Sequence, residues 1–369
     1  MNNPCGLYIH IPFCTSKCLY CDFFSKPQNS EEINIYVSNL LRIISYYGEL
    51  YSDKVFDTIY IGGGTPSIIG TDNLSSIISK AKICFNIVAP EITIEMNPNS
   101  VQFIDFEKLK NLGVNRISLG VQSSDKEELK LLGRTHNNND VISAVNKIQN
   151  AGIDNISLDL MIGISRQTEQ SLINSMDFCI ECGAKHISAY ILKVEDNTPY
   201  KKLAPNLNLP DEDKQAELYE IMQNYLNKKG YNQYEISNFA LKGFESRHNL
   251  KYWNCDEYLG LGVSAHSMMN RKRFYFPRNF YDFYNNKIVS DGEGATPQEY
   301  IMLRLRLVDG ISFNKYEKHF NLPFPKHCIK VAEKYSKYNL TKVTDCGICL
   351  TKKGFLVSNS ILAEMLAEE

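Results

Sequence analysis

The sequence shows no long hydrophobic run, no signal-peptide pattern and no marked excess of either charge. No stretch approaches the ~18 uninterrupted apolar residues of a membrane-spanning helix. Residues 1–5 carry no basic residue, and the short apolar run after them is broken by His10 and Pro12. Forty Lys and Arg against 42 Asp and Glu leave a formal net charge of −2. This balance does not favour nucleic acid as a partner.

Internal repeats and low-complexity segments are also absent. With 43% hydrophobic and 22% charged residues, the composition is that of an ordinary folded protein. At 369 residues the chain exceeds one compact core of usual size, so we expect one large domain and a smaller one. Its eleven cysteines are an odd number in a long chain, which disfavours a disulfide framework. We therefore expect a reducing, cytoplasmic location in which a close cysteine cluster binds metal.

Short apolar strands alternate with amphipathic helices through the first half. We predict strands at 7–11, 58–61, 92–96, 116–122, 156–162 and 186–192. We also predict that five helices end at glycine: Gly48, Gly113, Gly133, Gly152 and Gly183. Six strand–helix units with right-handed crossovers indicate an α/β fold, a partial (β/α)6 TIM-like barrel. Its active site should lie at the carboxyl ends of the strands.

The pattern changes after about residue 198. A polar stretch at 206–210 leads into a long charged helix at about 211–229, and an aromatic-rich region follows with the only tryptophan, Trp253. From 296 onward the pattern is helical, with strand-like pieces at 340–355. We predict a barrel at 1–205, an aromatic-rich extension covering the site at 206–295, and a small helical domain at 296–369.

Three cysteines lie within eight residues directly after the first predicted strand. Cys14, Cys18 and Cys21 form a C-x3-C-x2-C array. Zinc would normally need a fourth protein ligand, and none is near in sequence. A 4Fe-4S cluster held by three thiolates leaves one iron open to an outside ligand. The alternative is fortuitous spacing, and we favour the iron–sulfur cluster.

Glycine and polar residues follow the other predicted strands. The glycine run at 62–64 is either a tight turn or a close approach of backbone to a ligand. Glu95, Gln122 and Asp159 interrupt apolar runs. Each of them either contacts a ligand or makes an internal hydrogen bond, and the two interpretations are about equally supported. Arg134 either pairs with a ligand carboxylate or lies on the surface, and His136 is a weaker candidate for a ligand contact.

The cysteine spacing, with the aromatic Tyr20 before the third cysteine, resembles the radical S-adenosylmethionine (radical SAM) superfamily. The resemblance implies that the open iron binds the amino and carboxylate groups of S-adenosylmethionine. Reductive cleavage would then give a 5′-deoxyadenosyl radical.

Within that superfamily, the segments 7–14, 62–67, 94–98, 120–123, 132–136 and 159–163 follow one another as in the oxygen-independent coproporphyrinogen III oxidase family. The similarity runs across nearly the whole chain. It implies S-adenosylmethionine contacts from eight residues: Tyr8, Gly63, Gly64, Thr65, Glu95, Gln122, Arg134 and Asp159.

Two departures distinguish the chain from the oxidase itself. Phe23 stands where the oxidase has a further cysteine, and only thirteen residues precede Cys14, where the oxidase has a sizeable extension. Both features resemble the heme chaperone branch of the family. The H-N-x-x-Y-W pattern from His248 to Trp253 also matches that branch. It implies an axial heme ligand at His248, and a capped structural histidine is the alternative.

The resemblance implies a heme chaperone that binds heme and passes it to apo-hemoproteins such as respiratory enzymes. The alternative is a coproporphyrinogen III oxidase or dehydrogenase of porphyrin metabolism. A plain zinc or regulatory protein is disfavoured by the cysteine and glycine motifs together. Transient contact with a membrane and dimer formation are left open.

The remaining cysteines include two C-x2-C pairs, Cys179/Cys182 and Cys346/Cys349. Their four thiolates could together bind zinc, but about 160 residues separate the two pairs. We favour buried structural thiols. His266 is a weaker heme-ligand candidate than His248.

Overall fold

The computed structural model describes residues 3–27 and 29–367. The first half alternates strands and helices in the predicted rhythm, and all six predicted strands are confirmed. Its elements are β1 (Cys5–Ile11), β2 (Phe13–Cys14), β3 (Lys26–Pro27), α1 (Ser30–Leu50), β4 (Val55–Gly63), α2 (Gly70–Cys84), β5 (Asn86–Met96), α3 (Phe106–Asn111), β6 (Arg116–Gln122), α4 (Lys126–Leu131), α5 (Asn138–Asn150), β7 (Asn155–Ile162), α6 (Glu169–Glu181) and β8 (His186–Ile191).

The second half has shorter elements, and short 3-10 turns occur at Pro66–Ile69, Pro98–Phe103 and Ala204–Asn206. The elements are α7 (Pro199–Leu203), α8 (Glu212–Lys228), β9 (Asn232–Gln233), β10 (Asn238–Ala240), α9 (Arg247–Trp253), β11 (Tyr258–Leu261), β12 (His266–Met269), β13 (Lys272–Tyr275), α10 (Phe280–Tyr284), β14 (Val289–Glu293), α11 (Pro297–Arg304), β15 (Ile311–Ser312), α12 (Phe313–Phe320), α13 (Lys326–Ser336), β16 (Thr341–Thr344), β17 (Gly347–Leu350), α14 (Lys352–Leu356) and α15 (Ser358–Met365).

The predicted partial barrel is confirmed as the centre of a larger sheet. Strands β1, β4, β5, β6, β7 and β8 are neighbours in that order and run parallel. A seventh parallel strand, β11, pairs with β1, and antiparallel β10 pairs with β8. The segment 206–295 therefore supplies strands to both edges of the barrel sheet. Within the described residues, the outermost strands β14 and β9 do not pair, so the barrel stays open.

The barrel strands are buried on both faces, as expected for a parallel sheet covered by helices. In β1, Leu7, Ile9 and Ile11 have no exposed surface. They alternate with Tyr8 and His10, which point into the lumen because side chains alternate along a strand. Tyr8 and His10 thus line the lumen, and Leu7, Ile9 and Ile11 face the layer of helices outside the barrel.

Gly48 does not end a helix, contrary to the prediction. Helix α1 continues through Gly48 to Leu50. A Cβ at Gly48 would stand 2.6 Å from both the Cβ and the carbonyl oxygen of Cys84, the last residue of α2. The glycine therefore permits close contact between α1 and α2. The other four predicted helix-ending glycines follow their helices with positive φ: Gly113, Gly133, Gly152 and Gly183.

The C-terminal region combines helices with the three-stranded sheet β15-β17-β16. Two backbone hydrogen bonds tie its beginning to the barrel: Ile236 N donates to Arg306 O, and Val308 N donates to Tyr234 O. Among the described residues, no helix has both the length and the apolar character required to cross a membrane.

Candidate functional site

The barrel lumen opens at the carboxyl ends of its strands. Most barrel-strand residues are buried, but a few lumen-facing positions keep partial or full exposure. These are Tyr8, Tyr60, Gly63, Glu95, Gly120, Asp159, Met161 and Tyr190. Four of them are predicted S-adenosylmethionine contacts: Tyr8, Gly63, Glu95 and Asp159. These open positions lie on the barrel strands that surround the strand leading into the cysteine loop.

The cysteine loop lies at the carboxyl end of the barrel strands, directly after β1 and β2. Cys14 ends β2, and the loop turns where Cys21 N donates to Cys18 O at 3.2 Å. All three thiols are free and partly exposed. Burial raises the pKa of Cys21, and the nearby Cys18 and Cys14 add to that rise. Three adjacent, accessible thiols match the donor set of an iron–sulfur cluster. In residues 3–27 and 29–367, however, no three metal-ligating side chains are already gathered around a metal position.

The glycine run fits tightly under the cysteine strand. Gly64 N donates to Ile11 O at 2.8 Å and Thr65 N to Phe13 O at 2.7 Å. A Cβ at Gly64 would lie 2.5 Å from Phe13 O and 3.0 Å from Cys14 Sγ. Thr65 Oγ1 lies 3.7 Å from Cys14 Sγ. The run therefore positions the first cysteine, which a simple surface turn would not do.

Glu95 is held between two hydrogen-bond donors in the lumen. Tyr60 donates its hydroxyl to Glu95 Oε1 at 2.7 Å, and Gly63 donates its N–H to Oε2 at 3.0 Å. Burial raises the pKa of Glu95 to about 7, although these two hydrogen bonds oppose the shift. A Cβ at Gly62 would lie 2.8 Å from the carboxylate. The carboxyl group can thus change protonation near neutral pH.

Tyr8 belongs to a hydrogen-bonded chain that reaches the cysteine loop. His10 Nε2 lies 3.1 Å from the carbonyl oxygen of Phe24, which can only accept, so this nitrogen carries the proton. His10 Nδ1 must then accept from the Tyr8 hydroxyl at 3.0 Å. Burial lowers the pKa of His10 to about 4, which keeps the ring neutral.

Gln122 and Arg134 meet at Gly120. Gln122 has φ 70, a left-handed conformation. A Cβ at Gly120 would lie 2.9 Å from Gln122 Nε2 and 3.4 Å from Arg134 Nη2. Arg134 donates to the Tyr20 hydroxyl at 2.6 and 3.2 Å. The structure therefore joins two predicted cofactor residues to the cysteine loop through Tyr20.

Asp159 lies deeper in the lumen. Ser118 and Ser157 donate hydroxyls to its carboxylate at 3.1 to 3.2 Å. Burial raises its pKa, and hydrogen bonds and the Arg116 charge oppose that rise. Arg116 is only 1% exposed, and among the described residues its Nε has no hydrogen-bond partner. It is the central cation of the lumen.

The sequence reasoning missed Arg116, Tyr60, Met161 and Tyr190. Each faces the lumen from a strand that was predicted correctly. The alternation of side chains along each predicted strand could have found them, because residues two apart face the same side. Tyr60 is two residues from Gly62, Arg116 is two from Ser118, and Tyr190 is two from Ser188. Phe23, predicted from its departure from the oxidase pattern, is 67% exposed beside the cysteine loop.

His248 lies at the other end of the barrel. It is 1% exposed on α9, with Nδ1 2.8 Å from Thr58 Oγ1 and Nε2 2.8 Å from the Tyr252 hydroxyl. Glu91 accepts from the backbone N–H groups of Arg247 and His248 at 3.1 Å. Burial lowers the pKa of His248 to about 3. An axial bond to heme would require a buried hydrogen bond to break, so this geometry favours the structural alternative.

The weaker candidates are not gathered at the lumen mouth. His136 is buried against Val121 O, and His266 is exposed and stacked on Tyr275. Cys179 is fully buried and Cys182 half-buried on α6 and its C-cap, whereas Cys346 is exposed and Cys349 half-buried in the β16–β17 hairpin.

Comparison with known proteins gives the class first. The Radical SAM superfamily profile matches residues 8–179, and the HemN C-terminal domain profile matches residues 296–357. Coproporphyrinogen III oxidase (HemN) of Escherichia coli, described as a radical SAM enzyme, shares the fold. The match has a TM-score of 0.84 and covers 99% of this chain and 90% of that one at 21% identity. The fold and the cysteine loop thus define a radical SAM protein.

The chain belongs to the HemW family. It is 32% identical to the heme chaperone HemW of Lactococcus lactis subsp. lactis, with 100% of this chain and 99% of that protein covered. It is 33% identical to the HemW of Bacillus subtilis, covering 98% and 99%. The HemW of Escherichia coli is 32% identical, covering 99% of each chain.

Proposed function

We propose that this protein is a heme chaperone that binds heme and transfers it to apo-hemoproteins. The observation that carries the proposal is similarity to heme chaperones named HemW along essentially the whole of both chains. The exposed Phe23 supports it, because this position lacks the further cysteine of the oxidase pattern.

The lumen residues fit a bound cluster and S-adenosylmethionine. Cys14, Cys18 and Cys21 would hold a 4Fe-4S cluster, which supplies one-electron chemistry when bound. For S-adenosylmethionine, Gly63, Gly64 and Thr65 would present backbone close to the ligand. Glu95, Gln122, Arg134 and Asp159 would supply polar contacts, and Tyr8 and Tyr20 would orient their neighbours. Product analysis for 5′-deoxyadenosine tests whether cofactor cleavage accompanies heme transfer.

We propose a cytoplasmic protein that delivers heme to recipients such as respiratory enzymes. Flotation with anionic and neutral lipid vesicles tests transient membrane contact, and sedimentation of the reconstituted protein tests dimer formation.

The deciding experiment pairs two assays on the anaerobically reconstituted protein. We expect heme to bind with a defined stoichiometry and to move to an apo-hemoprotein, whose recovered spectrum reports the transfer. We expect no protoporphyrinogen from coproporphyrinogen III with S-adenosylmethionine and reductant. Robust turnover without heme transfer would favour the oxidase instead. The Cys14→Ser, Cys18→Ser, Cys21→Ser triple variant is the control for cluster content.

A further inference from the structure

Glu128 is a buried carboxyl group on α4 that does not belong to the predicted cofactor contacts. Its side chain accepts the Ser123 hydroxyl at 2.6 Å, the Ser171 hydroxyl at 2.5 Å and the Gln167 amide at 3.3 Å. Burial raises the pKa of Glu128, and the hydrogen bonds from Ser123 and Ser171 oppose that rise. A buried carboxyl group needs such partners. Donors from the end of β6 and from the start of α6 therefore converge on one side chain.

The bond from Ser123 fixes the backbone at the end of β6. Ser123 directly follows Gln122, whose φ of 70 is unfavourable for a residue with a side chain. Ser123 Oγ accepts from the Asp125 N–H at 2.9 Å, so its own proton is free to point at Glu128. A strained backbone conformation persists where its surroundings hold it in place. Glu128 therefore helps to keep the Gln122 amide beside Gly120.

Gln167 extends the same support to the end of β7. Its Nε2 donates to Glu128 and to Met161 O at 3.0 Å, and its Oε1 accepts from the Gly163 N–H at 2.7 Å. Gln167 is itself buried. Met161 and Gly163 lie two and four residues beyond Asp159, at the carboxyl end of the same strand. The strand that carries Asp159 is thus tied to Glu128 through one amide side chain.

Helix α4 links Glu128 to a third predicted cofactor contact, Arg134. The Arg134 N–H donates to Leu129 O at 2.9 Å, so the backbone of Arg134 is bonded to the residue after Glu128. The guanidinium of Arg134 in turn donates to the Tyr20 hydroxyl in the cysteine loop. A shift of α4 would therefore displace Arg134 as well.

We propose that Glu128 and Gln167 are positioning residues for the S-adenosylmethionine site. They act through Gln122, Arg134 and the end of β7, which they hold in place before the cofactor binds. The inference rests on the proposed cofactor contacts and adds the support behind them. A ligand that meets prearranged contacts does not bear the entropic cost of ordering them. Loss of this support should weaken cofactor binding although every contacting side chain is still present.

Equilibrium dialysis of S-adenosylmethionine with the anaerobically reconstituted full-length protein tests the proposal. We expect Glu128→Ala to raise the Kd about tenfold while the iron and sulfide content stays at the wild-type level. Glu128→Gln should stay within about threefold of wild type, because its carbonyl oxygen can still accept from Ser123 and Gln167. Its amide can donate to Ser171, whose hydroxyl can turn to the carbonyl oxygen of Thr168 at 3.1 Å.

Glu127→Ala is the matched control, because Glu127 is the exposed neighbour of Glu128 on the same helix. It should bind S-adenosylmethionine normally. Gln167→Ala covers the case in which Glu128→Ala folds poorly, and it should raise the Kd about fivefold. In the cofactor-free protein, the same variant should exchange the Gly163 amide hydrogen faster than wild type, because that N–H loses its acceptor.

The outcomes separate this proposal from the cofactor contacts on which it rests. If wild type binds no S-adenosylmethionine, the cofactor contacts fail and the positioning role fails with them. If wild type binds it and folded Glu128→Ala and Gln167→Ala bind it equally well, the positioning role alone is overturned, even where the denaturation midpoint falls. If Glu128→Gln binds as weakly as Glu128→Ala, the charge of Glu128 itself acts on the cofactor, which also overturns the proposal.

Discussion

Replacing Glu95 by glutamine should make the cofactor-free protein more stable at alkaline pH. The carboxyl group is buried in the lumen, and its pKa rises from 4.5 to about 7 on folding. A raised carboxyl pKa favours the folded state fully below pH 4.5, and this benefit is lost as the pH rises toward 7. At about 1.4 kcal/mol per pKa unit, the full shift would cost about 3 kcal/mol above pH 7. Because the lumen is open to water, we expect about 1–2 kcal/mol.

Glutamine keeps the shape of the side chain and cannot ionise. Its carbonyl oxygen can still accept from Gly63 N–H, and the Tyr60 hydroxyl can turn to accept from its amide. The free energy of unfolding, measured by urea titration with Trp253 fluorescence, should be similar for the two proteins near pH 5. It should favour Glu95→Gln by about 1–2 kcal/mol at pH 8.5. S-adenosylmethionine binding should weaken in the same variant.

Glu333→Gln is the matched control, because Glu333 is exposed in the middle of α13. Its stability should follow wild type at both pH values. A constant stability difference between wild type and Glu95→Gln from pH 5 to 8.5 would refute the raised pKa. Weaker S-adenosylmethionine binding without that pH dependence would leave Glu95 as a ligand contact whose ionisation does not affect folding.

Substitutions at three further positions test the two ends of the barrel. Gly64→Ala should abolish cluster assembly, because its Cβ would lie 2.5 Å from Phe13 O; iron and sulfide near wild-type content would contradict this. Arg116→Met should lower the free energy of unfolding in urea titrations by about 3–5 kcal/mol, because buried carboxylates lose their cation. Arg116→Lys should recover part of that loss. His248→Ala should cost about 3 kcal/mol by leaving Thr58 and Tyr252 without their partner, and an unchanged denaturation midpoint would argue against its structural role.

The strands, the cysteine loop and the glycine run were predictable because their signals are local in sequence. Arg116 and Tyr190 were not recognised, because their importance depends on which strands stand side by side and in what register. Strand β11 is only four residues long and pairs with β1 across some 250 residues, so no local pattern predicts its parallel pairing. Gly48 resembled a helix end, but its contact with Cys84 is made between two helices.

The position of His248 distinguishes a structural role from a heme-ligand role, both of which the H-N-x-x-Y-W pattern allowed. A Cβ at Gly6, near the start of β1, would lie 3.0 Å from His248 Cε1, so α9 packs against the amino-terminal part of β1. The cysteine loop lies at the carboxyl ends of the strands, where barrel proteins carry their sites. A packing role at one end therefore predicts that His248→Ala lowers stability while the folded fraction keeps its heme affinity. A folded His248→Ala variant with weakened heme affinity would instead identify His248 as a heme ligand.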